Sequence, residues 1–202
     1  GAMLLLKNIV ARYLELGGVS VAATDGVLDI TETPSLREIE DSYQTVTAAE
    51  SNKVSRKEPV AYRYKQPKQE QLFQLTHGFL RVEELKKLCK EHGVTVTDYL
   101  AALYTWSFYQ TMFPKNNKNP IKLSVPVDLR RIFSSETLRG FSLYVNTCVY
   151  PHIASLTFED VLTEVSAQLK EGFKKENLAA RVAANTAAQN SAWFRCMPLA
   201  VK

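Results

Sequence analysis

The sequence predicts an α/β or α+β domain. Three observations carry that prediction: several amphipathic stretches with helical spacing, capping boxes that open three of them, and short runs dense in β-branched and aromatic residues. Helices mixed with few strands suit that class. Over 202 residues, 46% are hydrophobic, 23% charged and 10% aromatic, with 8 Gly and 8 Pro. These values exclude a collagen-like, low-complexity or mostly disordered chain. The length suits one large domain or two small ones and is enough to bury a core.

Residues 3–16 read as a helix, with Leu6, Ile9, Val10, Tyr13 and Leu14 on one stripe and Gly17-Gly18 as the stop. A loop with Asp25-Gly26 and Pro34 follows. Leu36 to Tyr43 reads as a short acidic helix, with Ser35 as N-cap and Glu38 three residues on. Residues 44–58 are polar and are expected to be mobile. Val60 to Lys65 and Gln71 to Leu80 read as strand-like, the second entering a helix over Val82 to His92 that Gly93 ends. Thr95 and Asp98 form a second capping box, opening a long apolar helix to Phe113 that is expected to be central. Ile121 to Val127 is a short β-rich run, Ser134 to Arg139 a helical turn broken by Gly140, and Phe141 to Tyr150 an interior strand. Thr157 and Asp160 form the third capping box, for a helix to about Lys175, and Asn177 to Asn190 is an Ala-rich helix.

Lys plus Arg is 25 and Asp plus Glu is 21, a net +4 spread along the chain. This mild excess suits an anionic ligand and is no nucleic-acid signature. Cys89, Cys148 and Cys196 are odd in number and widely spaced, which argues against a disulfide framework and a zinc site and favours a reducing, cytoplasmic setting. Cys89 and Cys148 fit as small core hydrophobes. No apolar run reaches the roughly 18 residues of a membrane span. His77, His92 and His152 have no partner at metal-ligand spacing, so no metal is expected. Phosphate-loop, dinucleotide and serine-hydrolase motifs are absent.

Two segments are more informative. In Leu123 to Arg131 a strand ends with Asp128 and Arg130 two residues apart. They read either as an ion pair that pins the loop leaving the sheet, or as an anion-binding or loop-positioning element at a cleft rim. In Leu138 to Thr147, Gly140 permits a close backbone approach or an unusual dihedral. Asn146 and Thr147 are polar within an apolar strand, so they either bond neighbouring backbone or shape a pocket floor.

Val125-Pro126-Val127-Asp128-Leu129-Arg130-Arg131, followed by Thr137 to Thr147, resembles the later half of the CoA-dependent acyltransferases. That superfamily includes chloramphenicol acetyltransferase, the condensation domains of peptide synthetases and the alcohol acetyltransferase-like proteins. Gly140-Phe141 with Val145-Asn146-Thr147 is similar to a condensation-domain strand, and Gly26 to Pro34 followed by Glu40-Asp41-Ser42 is similar to the alcohol acetyltransferases. The resemblance implies one chloramphenicol-acetyltransferase-like lobe, a mixed sheet flanked by helices. Residues 1–58 would be a leading helix and polar connection. Residues 59–202 would be the second lobe, incomplete at its end.

The catalytic motif of these enzymes, HxxxD, is absent: none of the three histidines has Asp four residues on. The resemblance therefore implies no catalytic residue in this chain, and only cleft or structural support from Asp128, Arg130, Gly140 and Asn146. The base would come from a first lobe, in the same or a separate chain, and acetyl-CoA or another acyl thioester would be the cosubstrate. Gly1 to Lys7 is similar to the helix start that follows the motif, so the chain is expected to begin just after it. Such a lobe would be inert alone and would self-associate through the face its partner lobe covers. The alternative is a binding or interaction module with this fold and no chemistry.

Overall fold

Alternation of apolar and polar residues along two segments builds the centre of the molecule. The computed structural model describes residues 2–21, 26–27, 33, 35–49, 58–64, 75, 77–112, 118–151, 156–191 and 196. Strand β1 (Ile121–Asp128) and strand β2 (Ser142–Val149) pair antiparallel, from Ile121 opposite Val149 to Asp128 opposite Ser142. Side chains alternate between faces at every residue of a strand. One face thus carries Ile121, Leu123, Val125 and Val127 with Leu143, Val145, Thr147 and Val149, and it is the buried one. The other carries Lys122, Ser124, Pro126 and Asp128 with Ser142, Tyr144, Asn146 and Cys148.

Helices cover the apolar face. Helix α1 (Ala2–Leu16) opens the chain. Helices α2 (Leu36–Ile39) and α3 (Ser42–Ala49) follow, then α4 (Val82–Glu91) and the long α5 (Val96–Met112). Helix α6 (Arg130–Phe133) lies between the strands, and α7 (Phe158–Gly172) and α8 (Lys175–Asn190) come after them. Helix α7 packs on β2 and α5, and α3 packs on α8. Val161, Val165 and Leu169 of α7, Leu178 and Val182 of α8, and Ala101 and Ala102 of α5 meet the ribbon in one core with Leu129 and Phe141. This is an α+β arrangement, with eight helices and a two-stranded antiparallel sheet among the described residues.

All three capping boxes form. Ser35 and Glu38, and Thr157 and Asp160, exchange reciprocal bonds. The Thr95 N–H donates to Asp98 (3.0 Å) and the Asp98 N–H to the Thr95 hydroxyl (3.2 Å). The Thr157 hydroxyl and N–H hold the Asp160 carboxyl below its usual range.

Several segments differ from the sequence reading. Leu36 to Tyr43 is not one helix: α2 stops at Ile39 and α3 begins at Ser42. Residues 44–49, expected to be mobile, are helical because tertiary packing on α8 overrides weak propensity. Residues 60–64 form no ladder. The Tyr62 N–H donates to the Pro120 carbonyl (2.9 Å), just before β1. Residues 77–80 are irregular, and most of the strand read over Gln71 to Leu80 lies outside the described residues. The helical turn read over Ser134 to Arg139 falls earlier, at α6, and Ser134 ends it in a left-handed conformation (φ 52°). Cys148 is half-buried on the outer face rather than in the core, whereas Cys89 is buried as expected.

Phe141 to Tyr150 reads as an interior strand, yet among the described residues β2 has one strand neighbour. Its second edge is held by a side chain. Gln168 of α7 accepts from the Cys148 N–H (2.7 Å) and donates to its carbonyl (2.8 Å), replacing the ladder locally. Backbone groups in an antiparallel pair point alternately to and from the partner. Residues opposite each other in step with Lys122 and Cys148, including Pro126 and Tyr144, therefore turn their backbone groups outward. Pro126 lacks an N–H, so it costs the β1–β2 ladder nothing.

Two buried threonines make opposite predictions. The Thr137 hydroxyl donates to the Glu40 carbonyl (2.8 Å) and, beside the Leu138 N–H to Glu38 carbonyl bond (2.8 Å), stitches the loop before β2 to the α2–α3 link. Thr147, on the inner face of β2, has a buried hydroxyl with no partner. Thr137→Val is expected to cost about 1–3 kcal/mol, since the part-buried Glu40 carbonyl loses its donor. Thr147→Val is expected to be neutral or to stabilise by about 1 kcal/mol, since it removes an unsatisfied buried group of the same shape. Urea midpoints of both variants test the pair, and equal losses would contradict this polar accounting.

Candidate functional site

Of the polar side chains that the sequence singled out, Asp128 and Asn146 lie at two places on the open face of the ribbon, Arg130 on α6 beside it, and Thr147 on the buried face. At one end, Asp128 caps the turn into α6: its carboxylate accepts from the Arg130 N–H (3.1 Å) and from the Arg130 guanidinium (3.0 Å). The same guanidinium donates to the Thr137 carbonyl (2.8 Å) and the Arg139 carbonyl (2.6 Å). Three acceptors in one planar fork fix the loop 134–141 against the end of β1. The guanidinium is thus spent on the protein's own acceptors.

Gly140 lies in that loop, but neither reason given for it holds. Its φ is not positive, and a Cβ there would meet nothing within 4 Å. Nearby, Tyr43 of α3 donates its hydroxyl proton to the Ser142 carbonyl (2.7 Å) and accepts from the Ser142 N–H (3.0 Å). The Ser42 and Ser135 hydroxyls are 2.7 Å apart beside a cavity of about 210 Å³ that Phe133 and Phe141 also line.

Asn146 stands four residue pairs along the ribbon from the Asp128–Ser142 pair, roughly 13 Å away at strand rise, so the structure does not bring it together with Asp128 and Arg130. It belongs to a second cluster. The Ser124 hydroxyl, directly across the strands, donates to the Asn146 amide oxygen (2.6 Å). The Asn146 amide nitrogen donates to Glu58 (2.6 Å). Lys122, one step along β1, donates to the same carboxylate oxygen, and Arg181 of α8 donates to the other (2.9 Å). Sequence reasoning reached Asn146 but missed Glu58, Lys122 and Arg181. Glu58 lies 88 residues from Asn146 and 123 from Arg181, so only the fold joins them.

Electrostatics at this cluster have a clear direction. Partial burial opposes ionisation of Glu58, but the bonds from Lys122 and Asn146 and the charges of Lys122 and Arg181 outweigh it and hold its carboxyl below the usual range. At Cys148, burial pushes the thiol up; Glu58 and Glu164 add to the rise and the Lys122 charge opposes it. A raised thiol is a poor nucleophile near neutrality.

A pH prediction follows from Glu58. Its folded value lies below its unfolded one, so its contribution to stability is present above about pH 4.3 and fades as pH falls through the folded value. Wild type is therefore expected to lose more stability than Glu58→Gln between about pH 6 and pH 3. Urea midpoints across that range decide it, and parallel curves would contradict it.

The remaining polar candidates carry no such cluster. His92 ends α4 with its ring 5.8 Å from Tyr99 and 6.4 Å from Phe158, a structural setting. His77 is described without a metal-like neighbourhood, and His152 lies outside the described residues. Among the described residues no group of His, Cys, Asp and Glu could hold a metal ion, and no helix is long and apolar enough to cross a membrane.

The family model for alcohol acetyltransferases matches residues 30–189. The chain belongs to the alcohol acetyltransferase family. The match takes in β1, β2, α7 and most of α8, and so all of the residues of both polar clusters. No curated protein and no solved structure matches the chain. In this alcohol acetyltransferase family member Asp128, Lys122, Ser124 and Asn146 stand on the ribbon, and Arg130 and Arg181 on the helices α6 and α8.

Proposed function

We propose that the chain supplies one lobe of an acyltransferase, which moves an acyl group from acetyl-CoA or another acyl thioester to an alcohol or amine. The match of residues 30–189 to the alcohol acetyltransferases is the observation that carries this reading. In the reaction, the acceptor oxygen or nitrogen attacks the thioester carbonyl, a base takes its proton, and the carbon–sulfur bond breaks to release the thiol. No histidine of this chain sits in an HxxxD motif, so the base belongs to a partner lobe in the same or a separate chain. Residues 59–202 form the body of this lobe in that reading. Asp128 and Arg130 hold the loop 134–141, which contains Gly140, at the rim, and Asn146 sits on the open sheet face. They are positioning residues rather than catalytic ones.

The test is thiol release from acetyl-CoA with a panel of alcohols and amines, using this chain alone and together with a lobe that carries HxxxD. No turnover alone and turnover in the combination is the expected result. Turnover at an enzyme-like rate by this chain alone would overturn the division of labour. Silence in the combination would favour a non-catalytic binding module, and light scattering of the isolated chain would show whether it then pairs with itself.

A further inference from the structure

We infer that Lys122, Arg181 and Asn146 form a receptor for a small oxyanion, a carboxylate or a phosphate ester, and that Glu58 occupies it from within the chain. Three donors from three different elements converge on one carboxylate: Lys122 from β1, Asn146 from β2 and Arg181 from α8. Both carboxylate oxygens are engaged. The orientation of the Asn146 amide is set by the Ser124 hydroxyl behind it, so its N–H is aimed outward before any anion arrives. Cations and amide donors arranged around two oxygens are the chemistry that recognises carboxylates and phosphates.

The charge balance separates this cluster from a simple ion pair. Two cations face one anion, which leaves an excess positive charge on a partly exposed surface. The receptor stands on regular elements of the core, whereas Glu58 stands on a segment without a ladder. An external oxyanion can therefore replace the Glu58 carboxylate without moving β1, β2 or α8. At Asp128 and Arg130 the situation differs, because two backbone carbonyls hold the guanidinium and no incoming anion can substitute for them. The inference does not rest on acyl transfer and stands or falls separately from it.

Glu58→Gln tests it, because it removes the internal charge and keeps the side-chain size. Thermal unfolding and calorimetric titration are run with inorganic phosphate and with acetate, against chloride at equal ionic strength. Phosphate or acetate is expected to raise the unfolding temperature of Glu58→Gln saturably while chloride does not. The variant is expected to bind the preferred anion about tenfold more tightly than wild type, a difference of about 1.4 kcal/mol. The effect is expected to vanish in Glu58→Gln/Arg181→Gln. Preference for phosphate identifies a phosphate ester as the ligand class, and preference for acetate a carboxylate. An anion effect no larger than that of chloride, one that survives the loss of Arg181, or equal affinity in wild type overturns the inference. Should Glu58→Gln fail to fold, phosphate is titrated into wild type and the Asn146 side-chain amide is followed by NMR; a resonance that does not move overturns it equally.

Discussion

Gly172→Ala is expected to destabilise the protein by about 3 kcal/mol, at the upper end of what overpacking costs. Gly172 is the last residue of α7, and its Cα faces β2 with no room for a side chain. A Cβ built there would overlap Cγ1 of Val145, which is 2% exposed in the centre of the ribbon's inner face. Val145 cannot yield, because Val165 and Leu169 of the same helix belong to the packed core around it. Nor can the helix end move freely. Only Phe173 and Lys174 separate α7 from α8, and Asn177 of α8 donates to the Glu171 carbonyl (2.7 Å). The gain in helix propensity from Gly to Ala, at most about 1 kcal/mol, is smaller than the clash. Val145→Ala should partly rescue the variant, with a coupling energy of about 1–3 kcal/mol in a double-mutant cycle. Additive losses would show that the two residues do not meet as described.

Phe141→Ala should cost more, about 3–5 kcal/mol, a large part of the roughly 5–15 kcal/mol that holds a domain folded. The ring is 1% exposed and joins three parts of the molecule. Tyr43 of α3 meets it edge-on at 5.0 Å, and Phe133 of α6 lies tilted at 6.1 Å. The Phe141 carbonyl accepts from the Leu129 N–H (3.1 Å) just after β1, so its backbone also ties the two strand ends together. Truncation leaves a void that opens toward the existing cavity of about 210 Å³ and releases Tyr43, whose hydroxyl clamps the Ser142 backbone. Chemical denaturation with a two-state fit measures the loss. A value under about 1.5 kcal/mol would place Phe141 outside the core.

The elements most legible in the sequence are those whose signal is local. Ser35, Thr95 and Thr157 each sit three residues before an acid, and each starts a helix as read. The density of β-branched and aromatic residues in Ile121 to Val127 and Phe141 to Tyr150 gives both strands. Helix α3 is legible only in Ser42 and Tyr43, which read as the end of the preceding helix; residues 44–49 look like a polar loop, and what makes them helical is contact with α8 from far along the chain. The same division runs through the site. Asn146 is visible as a polar residue in an apolar strand, and Asp128 and Arg130 are visible as a close pair. Glu58 and Arg181 look like ordinary surface charges until the fold carries them to Asn146. Gly140 shows the opposite error: a glycine beside a strand invites a backbone explanation, and the structure gives it none.

The clip that Gln168 places on Cys148 has a consequence for how the molecule behaves in a crowd. A two-stranded ribbon has two bare edges, and bare edges invite strands from other molecules. Here Gln168 occupies the backbone groups of β2 at Cys148, and Pro126 withholds a donor on the outward edge of β1. Neither edge can template an uninterrupted intermolecular ladder along its full length. Among the described residues the ribbon can thus remain short and open-faced without offering an uninterrupted edge to another strand.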